Sequence, residues 1–251
     1  MSKLISPHQQ KNLEIFLWEP SGVNRHMCPI TIGVPVPRGL LKNEKHICLL
    51  EGEKELPVAV CTTSKWEDGS IRWLLLDFQV NLLGSQKKRL FLKFGTESLI
   101  HSLIFKNPVK IEKTEFGLIA DNGYLKVKFK NGGKIPFEEI FYKDRPILAK
   151  DRNFCAVSEN GRMFYAHGDS VNVKLEFHND FRAVVRCDGK FTAEDGSTAL
   201  DVTTRVYFYA GKSYVKIYHT ITNMEGHDAN IDRISFGIPV ACEEVLNGYV
   251  T

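Results

Sequence analysis

Trp66-Glu67-Asp68-Gly69-Ser70-Ile71-Arg72-Trp73-Leu74-Leu75-Leu76-Asp77-Phe78 reads as a strand, a two-residue turn and a second strand. Asp68-Gly69 offers the positive φ values of a tight hairpin turn, and apolar residues flank it on both sides. In that register Trp66 faces Ile71 and Ser64 faces Trp73. Both tryptophans then share one side, and Trp73 and Leu75 are expected in a core. Upstream, Ile30-Thr31-Ile32-Gly33-Val34-Pro35-Val36-Pro37-Arg38-Gly39 is extended. Each proline there removes a backbone donor and pushes its predecessor into the extended region, so the ladder has to end.

The pattern of this hairpin runs through the whole chain. Apolar residues alternate or come in short blocks bounded by Gly, Asp, Asn and Pro. Strands are predicted at Leu13–Trp18, Cys28–Val36, Leu56–Ser64, Ser70–Val80 and Lys87–Phe94, with a short helix or turn near Leu40–Asn43. A second series is predicted at Lys110–Glu115, Leu118–Asp121, Tyr124–Lys130, Ile135–Tyr142, Ser170–His178, Arg182–Thr192, Ala199–Tyr209, Tyr214–Asn223 and Ile231–Pro239. Asp121-Asn122-Gly123, Asn131-Gly132-Gly133, Glu159-Asn160-Gly161 and Glu194-Asp195-Gly196 are turn signals between them. Such spacing indicates an antiparallel sandwich. The expectation is an all-β protein of two domains, a small barrel at residues 1–96 and a sandwich at 109–251, linked by Gly95–Pro108.

A chain of 251 residues suffices for one large or two modest cores. A net charge of +3 is too small to argue for nucleic acid, and no apolar run approaches a membrane span. The start, Met1 to His8, has no apolar signal-peptide core, which points to the cytoplasm. Cys28, Cys48, Cys61, Cys155, Cys187 and Cys242 lie far apart with no C-x-x-C pair, so free thiols are expected rather than disulfides or a metal site. No nucleophile elbow, zinc-binding helix motif, phosphate loop or dinucleotide loop occurs.

The proline-terminated strand and the W-E-D-G-S hairpin, in that order, resemble the N-terminal barrel of the exo-rhamnogalacturonan lyase (YetA-like) family. The stretch from Gly123 to Gly133, Phe181-Arg182-Ala183-Val184-Val185-Arg186 and Arg205-Val206-Tyr207-Phe208-Tyr209-Ala210-Gly211 resemble its sandwich. The resemblance implies a RIFT barrel followed by a β-sandwich and then a helical toroid, and β-elimination on a pectic substrate. This chain carries sequence for the first two parts only, so it is expected to be a naturally short product or a piece of a longer reading frame. The toroid would then be a downstream or separately encoded partner.

One hairpin has the most defined register. Pairing Tyr209 with Tyr214 across Ala210-Gly211-Lys212-Ser213 puts Tyr207 opposite Lys216, Arg205 opposite Tyr218 and Thr203 opposite Thr220. The other side pairs Phe208 with Val215, Val206 with Ile217, Thr204 with His219 and Val202 with Ile221, an aliphatic face expected in the core. Arg205, Tyr207, Tyr209, Tyr214, Lys216 and Tyr218 are therefore the candidate carbohydrate-binding residues. Pyranose C–H faces stack on rings, and cations pair with uronate carboxylates. The same set can equally be cross-strand pairs on a solvated face.

His219-Thr220 matches a His-Thr pair that the resemblance places here. On the aliphatic side, His219 reads as a core histidine satisfied by Thr204 or a carbonyl. Lys126, Lys128 and Lys130 form a basic ladder that suits a polyuronate or a solvated strand. β-Elimination needs a cation for the C6 carboxylate, a base for H5 and an acid for the leaving oxygen. Arg205, Lys216, Tyr207 and Tyr218 have those chemistries, but no catalytic residue, metal ligand or cofactor is assigned. Asp169, Glu176 and Asp201 give no paired-carboxylate signature of a hydrolase. Three functions remain open: a lyase, a non-catalytic module for pectic oligosaccharide or docking, and a purely structural product.

Overall fold

The computed structural model describes residues 12–95, 105, 107–148, 155–223, 230–239 and 241. Most of the expected link Gly95–Pro108, the start Met1 to His8 and Cys242 lie outside the described residues. Two compact units divide the chain, Met1–Phe105 and Lys106–Thr251. No helix occurs among the described residues.

The first unit has seven strands: β1 Asn12–Trp18, β2 Arg25–Pro35, β3 Ile47–Glu51, β4 Lys54–Leu56, β5 Val58–Lys65, β6 Ile71–Leu82 and β7 Lys87–Phe94. They form a four-stranded sheet, β1-β7-β3-β4, and a three-stranded sheet, β2-β6-β5, around one apolar core. Leu49, Leu76, Phe78, Leu90 and Leu92 are fully enclosed there. Burying such side chains contributes roughly 1.5–3 kcal/mol each. Leu40–Asn43 forms a turn and bend rather than a helix, held where Leu41 O accepts the Ile71 N–H at 2.7 Å.

The opening hairpin departs from its expected form. The ladder closes as Trp66 N–H to Ser70 O at 2.7 Å, with Gly69 N–H to Trp66 O at 3.0 Å. Gly69 has φ of 78°, while Asp68 stays at negative φ. The turn is therefore a type I turn extended by one left-handed glycine, three residues and not two. Ser64 does face Trp73, but Lys65 faces Ile71, so Arg72 is an extra residue in β6. This bulge reverses the inside–outside alternation. Ile71 is buried, Arg72 and Trp73 both face out, and the core side resumes at Leu74, Leu76 and Phe78. Trp73 is 42% exposed and Leu75 half-buried, correcting the expectation that both belong to the core.

The second unit has twelve strands: β8 Lys110–Thr114, β9 Gly117–Asp121, β10 Leu125–Lys130, β11 Glu139–Tyr142, β12 Arg145–Pro146, β13 Cys155–Glu159, β14 Arg162–Ala166, β15 Asn172–His178, β16 Arg182–Thr192, β17 Thr198–Tyr209, β18 Lys216–Thr222 and β19 Ile231–Phe236. One sheet is β12-β11-β10-β9-β8. The other runs β18-β17-β16-β14-β13-β19, with β15 also paired to β16. Inward residues of the two meet where Phe129 and Phe208 pack edge to face with centroids 6.0 Å apart. Strand β11 is shorter than expected because Pro136, near its start, has no N–H to give a ladder.

The five described cysteines are free. Burial pushes the Cys155 and Cys187 thiols up to about 12, the latter helped by adjacent Asp188. Cys28, Cys48 and Cys61 are only half-buried.

Candidate functional site

Strands β17 and β18 pair in the expected register from Asp201↔Thr222 to Tyr207↔Lys216, including Arg205↔Tyr218 and Thr204↔His219. Strict alternation on β17 enforces this, since Val202, Thr204, Val206 and Phe208 are all buried. The ladder stops at Tyr207↔Lys216, so the expected Tyr209–Tyr214 and Phe208–Val215 pairs are not made. Beyond that point the chain is drawn elsewhere. Tyr209 pairs with Arg182 of β16, Ala210 N–H bonds Phe181 O, and Gly211 N–H bonds Asn122 O. Val215 and Ile217 are half-buried and not core residues, because β18 is an edge strand.

The outward side of β17 continues across β16 and β15. Arg186 faces Arg205, Asp188 faces Thr203, and Lys174 faces Arg186. Alternation along β15 puts Glu176 on the same side as Lys174, next to a register shift between Leu175 and Phe177. There its carboxylate accepts two hydrogen bonds from Arg205, Nε at 2.7 Å and Nη2 at 3.0 Å. Arg186 donates to Asp188 at 2.8 Å and lies 4.0 Å from Glu176. Thr203 Oγ1 also donates to Asp188 at 2.7 Å, and Lys174 is 3.9 Å away. Beside this network Tyr207 and Tyr218 pack edge to face at 5.3 Å, with the Lys216 ammonium 4.7 Å from the Tyr218 ring.

The structure thus brings together Arg205, Tyr207, Lys216 and Tyr218. Tyr209 lies at the rim, half-buried against Phe181 at 6.0 Å, and exposed Tyr214 lies in the turn. Glu176, Arg186, Asp188 and Lys174 are the members that sequence reasoning missed. Four cations stand against two carboxylates, so the face retains positive charge suited to an anionic chain.

Every displaced acidity on this face moves away from neutral pH. Hydrogen bonding to Arg205 lowers the Glu176 carboxyl. Asp188 is lowered despite burial, which alone would raise it, because Thr203 and Arg186 hydrogen bond it. Arg205 is raised by Glu176, and Lys216 by the Tyr218 side chain. Burial raises Tyr209. Such groups bind charge well, whereas a general acid or base works best with a pKa near the operating pH.

His219 keeps to the inner side. Its Nδ1 is 2.7 Å from Thr204 Oγ1, its ring lies 5.6 Å from Phe236 and 6.4 Å from Phe191, and burial lowers its pKa. The lysine ladder of β10 is matched by acids on its own face. Lys126 pairs with Asp144 at 3.3 Å and Lys128 with Glu139 at 2.8 Å. Among the described residues no three His, Cys, Asp or Glu converge to hold a metal ion. A cleft of ≈ 450 Å³ lies apart from the platform, between β14 and the turn after β16, where Arg162 already pairs with Asp195.

Two family models match the chain. The PcRGLX-like N-terminal RIFT barrel domain matches residues 18–80, and the PcRGLX-like protein central beta sandwich domain matches residues 109–247. No curated protein matches it. The barrel with its W-E-D-G-S hairpin and the sandwich with its aromatic–cationic sheet face are thus the two domains of one known pairing, and the chain belongs to the PcRGLX-like family.

Proposed function

We propose that this chain is the barrel-and-sandwich portion of a rhamnogalacturonan lyase-like protein, and that its sandwich platform holds a pectic oligosaccharide. The observation that carries this reading is the composition of one open sheet face. It combines paired tyrosine rings for sugar stacking with a surplus of held cations for uronate carboxylates. The chemistry of β-elimination belongs, in this reading, to a helical toroid that completes the site. The displaced acidities favour binding over catalysis here, since Lys216 and Arg205 are held protonated and neither is poised to remove H5. The reading also takes the protein to be cytoplasmic, acting on imported pectic oligomers and not on nucleic acid or membranes.

The test is to incubate the purified chain with rhamnogalacturonan oligomers, measure binding calorimetrically, and follow absorbance from unsaturated uronate. Binding that drops in Tyr218→Ala and Lys216→Ala, with no absorbance rise, is expected. Turnover abolished by Tyr207→Phe or Lys216→Ala would make the platform catalytic. Absence of both binding and turnover would leave a purely structural role.

A further inference from the structure

The first unit carries an aromatic face that its core does not use. Strand β1 alternates cleanly, with Leu13, Ile15 and Leu17 turned to the core and Asn12, Glu14, Phe16 and Trp18 turned outward. Phe16 and Trp18 are 62% and 64% exposed. Two residues apart on one strand face, they project from backbone positions about 6.8 Å apart along it. On the neighbouring strand Arg89 is opposite Phe16 and Lys87 opposite Trp18, with Phe91 and Lys93 continuing the same side. The Arg89 guanidinium stands 5.2 Å from the Phe16 ring and the Lys87 ammonium 5.8 Å from that of Trp18. Of the acids, only Glu14 is paired with this row, at 3.5 Å from Arg89, among the described ion pairs.

The end of this face is held rigidly. The residue after Trp18 is Glu19, whose side chain is 1% exposed. Its carboxylate accepts the N–H groups of Val23 at 3.1 Å and Ser85 at 3.3 Å, and the Arg25 guanidinium at 3.0–3.1 Å. Burial alone would raise that carboxyl, but these donors hold it below its ordinary value. Glu19 N–H also bonds Gln86 O at 3.0 Å, tying the end of β1 to the start of β7. Two large rings and their cations are thus displayed on an immobilised backbone, which lowers the ordering cost of binding.

We propose that the outer face of β1 and β7 is a second binding site for a uronate-bearing oligosaccharide, separate from the sandwich platform. Trp18 and Phe16 offer stacking surfaces, and Lys87, Arg89 and Lys93 offer carboxylate partners. The charge of the row selects an acidic occupant over a neutral sugar. This rests on the reading that the chain engages pectic material, and it adds a contact in the other unit.

The experiment titrates the full chain with galacturonate oligomers and with neutral dextran oligomers, following tryptophan fluorescence and heat. The variants are Trp18→Ala with Lys87→Ala, the milder Trp18→Phe with Lys87→Gln, and a platform pair, Tyr218→Ala with Lys216→Ala. Expected is a fluorescence change with galacturonate alone, and about tenfold weaker binding in the Trp18/Lys87 alanine variant. Loss confined to the platform pair overturns the proposal and leaves the platform reading intact. Loss confined to the Trp18/Lys87 variants supports the proposal and removes the platform. Absence of galacturonate binding by the unaltered chain overturns both. A wild-type dimer that dissociates in Trp18→Phe also overturns it, since the face would then be covered by a second copy.

Discussion

The tetrapeptide Glu-Asp-Gly-Ser occurs twice, at 67–70 in the first unit and at 194–197 in the second. Both copies fold alike. Gly69 and Gly196 have φ of 78° and 83°, Asp68 and Asp195 each accept both the N–H and the hydroxyl of the serine two residues on, and an arginine lies against each aspartate. Their surroundings differ. Ser70 is fully buried, and its Oγ accepts the Gly39 N–H at 2.9 Å, joining the turn to the loop after β2. Before it stands Trp66, whose ring N–H bonds Val36 O at 3.0 Å, where the second copy has Ala193. Ser197 is half-exposed. A local motif therefore determines the turn, and the tertiary neighbours decide how much stability depends on it.

The largest expected contrast is at the serines. Ser70→Ala removes a buried hydroxyl that both accepts from Gly39 N–H and donates to Asp68, and is expected to cost roughly 1–3 kcal/mol, against about 0.5 kcal/mol or less for Ser197→Ala. Urea unfolding of both variants measures this, and equal losses would break the contrast. Next come the glycines, where the turns should behave alike. No atom lies within 4 Å of a Cβ added at either Gly69 or Gly196, so alanine meets only the left-handed backbone, at about 1–2 kcal/mol in each. Unequal costs would show that the turns are not the same conformation.

Smaller still are the arginines. Arg38→Gln and Arg162→Gln remove exposed ion pairs and should each shift stability by less than about 1 kcal/mol. The finest comparison is pH. Asp68 is held below the usual carboxylate range chiefly by the Ser70 hydroxyl, and Asp195 chiefly by the Ser197 N–H. With folded values depressed, the unfolded chain binds protons first. Both contributions are present above the ordinary carboxylate pKa of about 3.9 and fade as pH falls through the folded values. Ser70→Ala should raise the Asp68 midpoint more than Ser197→Ala raises that of Asp195, measured by carboxyl NMR titration.

The same division between local and tertiary control explains what was legible in the sequence. The bounds of β16 and the β17/β18 register follow from alternation alone, because a one-residue slip would expose Val206 and Phe208. Trp73 was misplaced because alternation is blind to an extra residue, and Arg72 is one. The hairpin β13–β14 lay beside a recognised turn signal at Glu159-Asn160-Gly161 but has too few alternating positions to stand out. The carboxylates of the platform were hidden for a different reason. Glu176 reaches Arg205 across an intervening strand, β16, a relation of sheet order that linear spacing does not encode.

The distribution of tryptophan and buried thiols has a practical consequence. All three tryptophans, Trp18, Trp66 and Trp73, belong to the first unit, whereas the fully enclosed thiols, Cys155 and Cys187, belong to the second. Only the thiolate reacts, so two sulfhydryls enclosed and held near 12 can be alkylated only when the sandwich opens. Emission spectra, and pulse labelling read out at Cys155 and Cys187 by peptide mapping, thus clock the two halves separately without a single engineered probe, and coincidence of the two clocks would reveal whether they melt as one cooperative body.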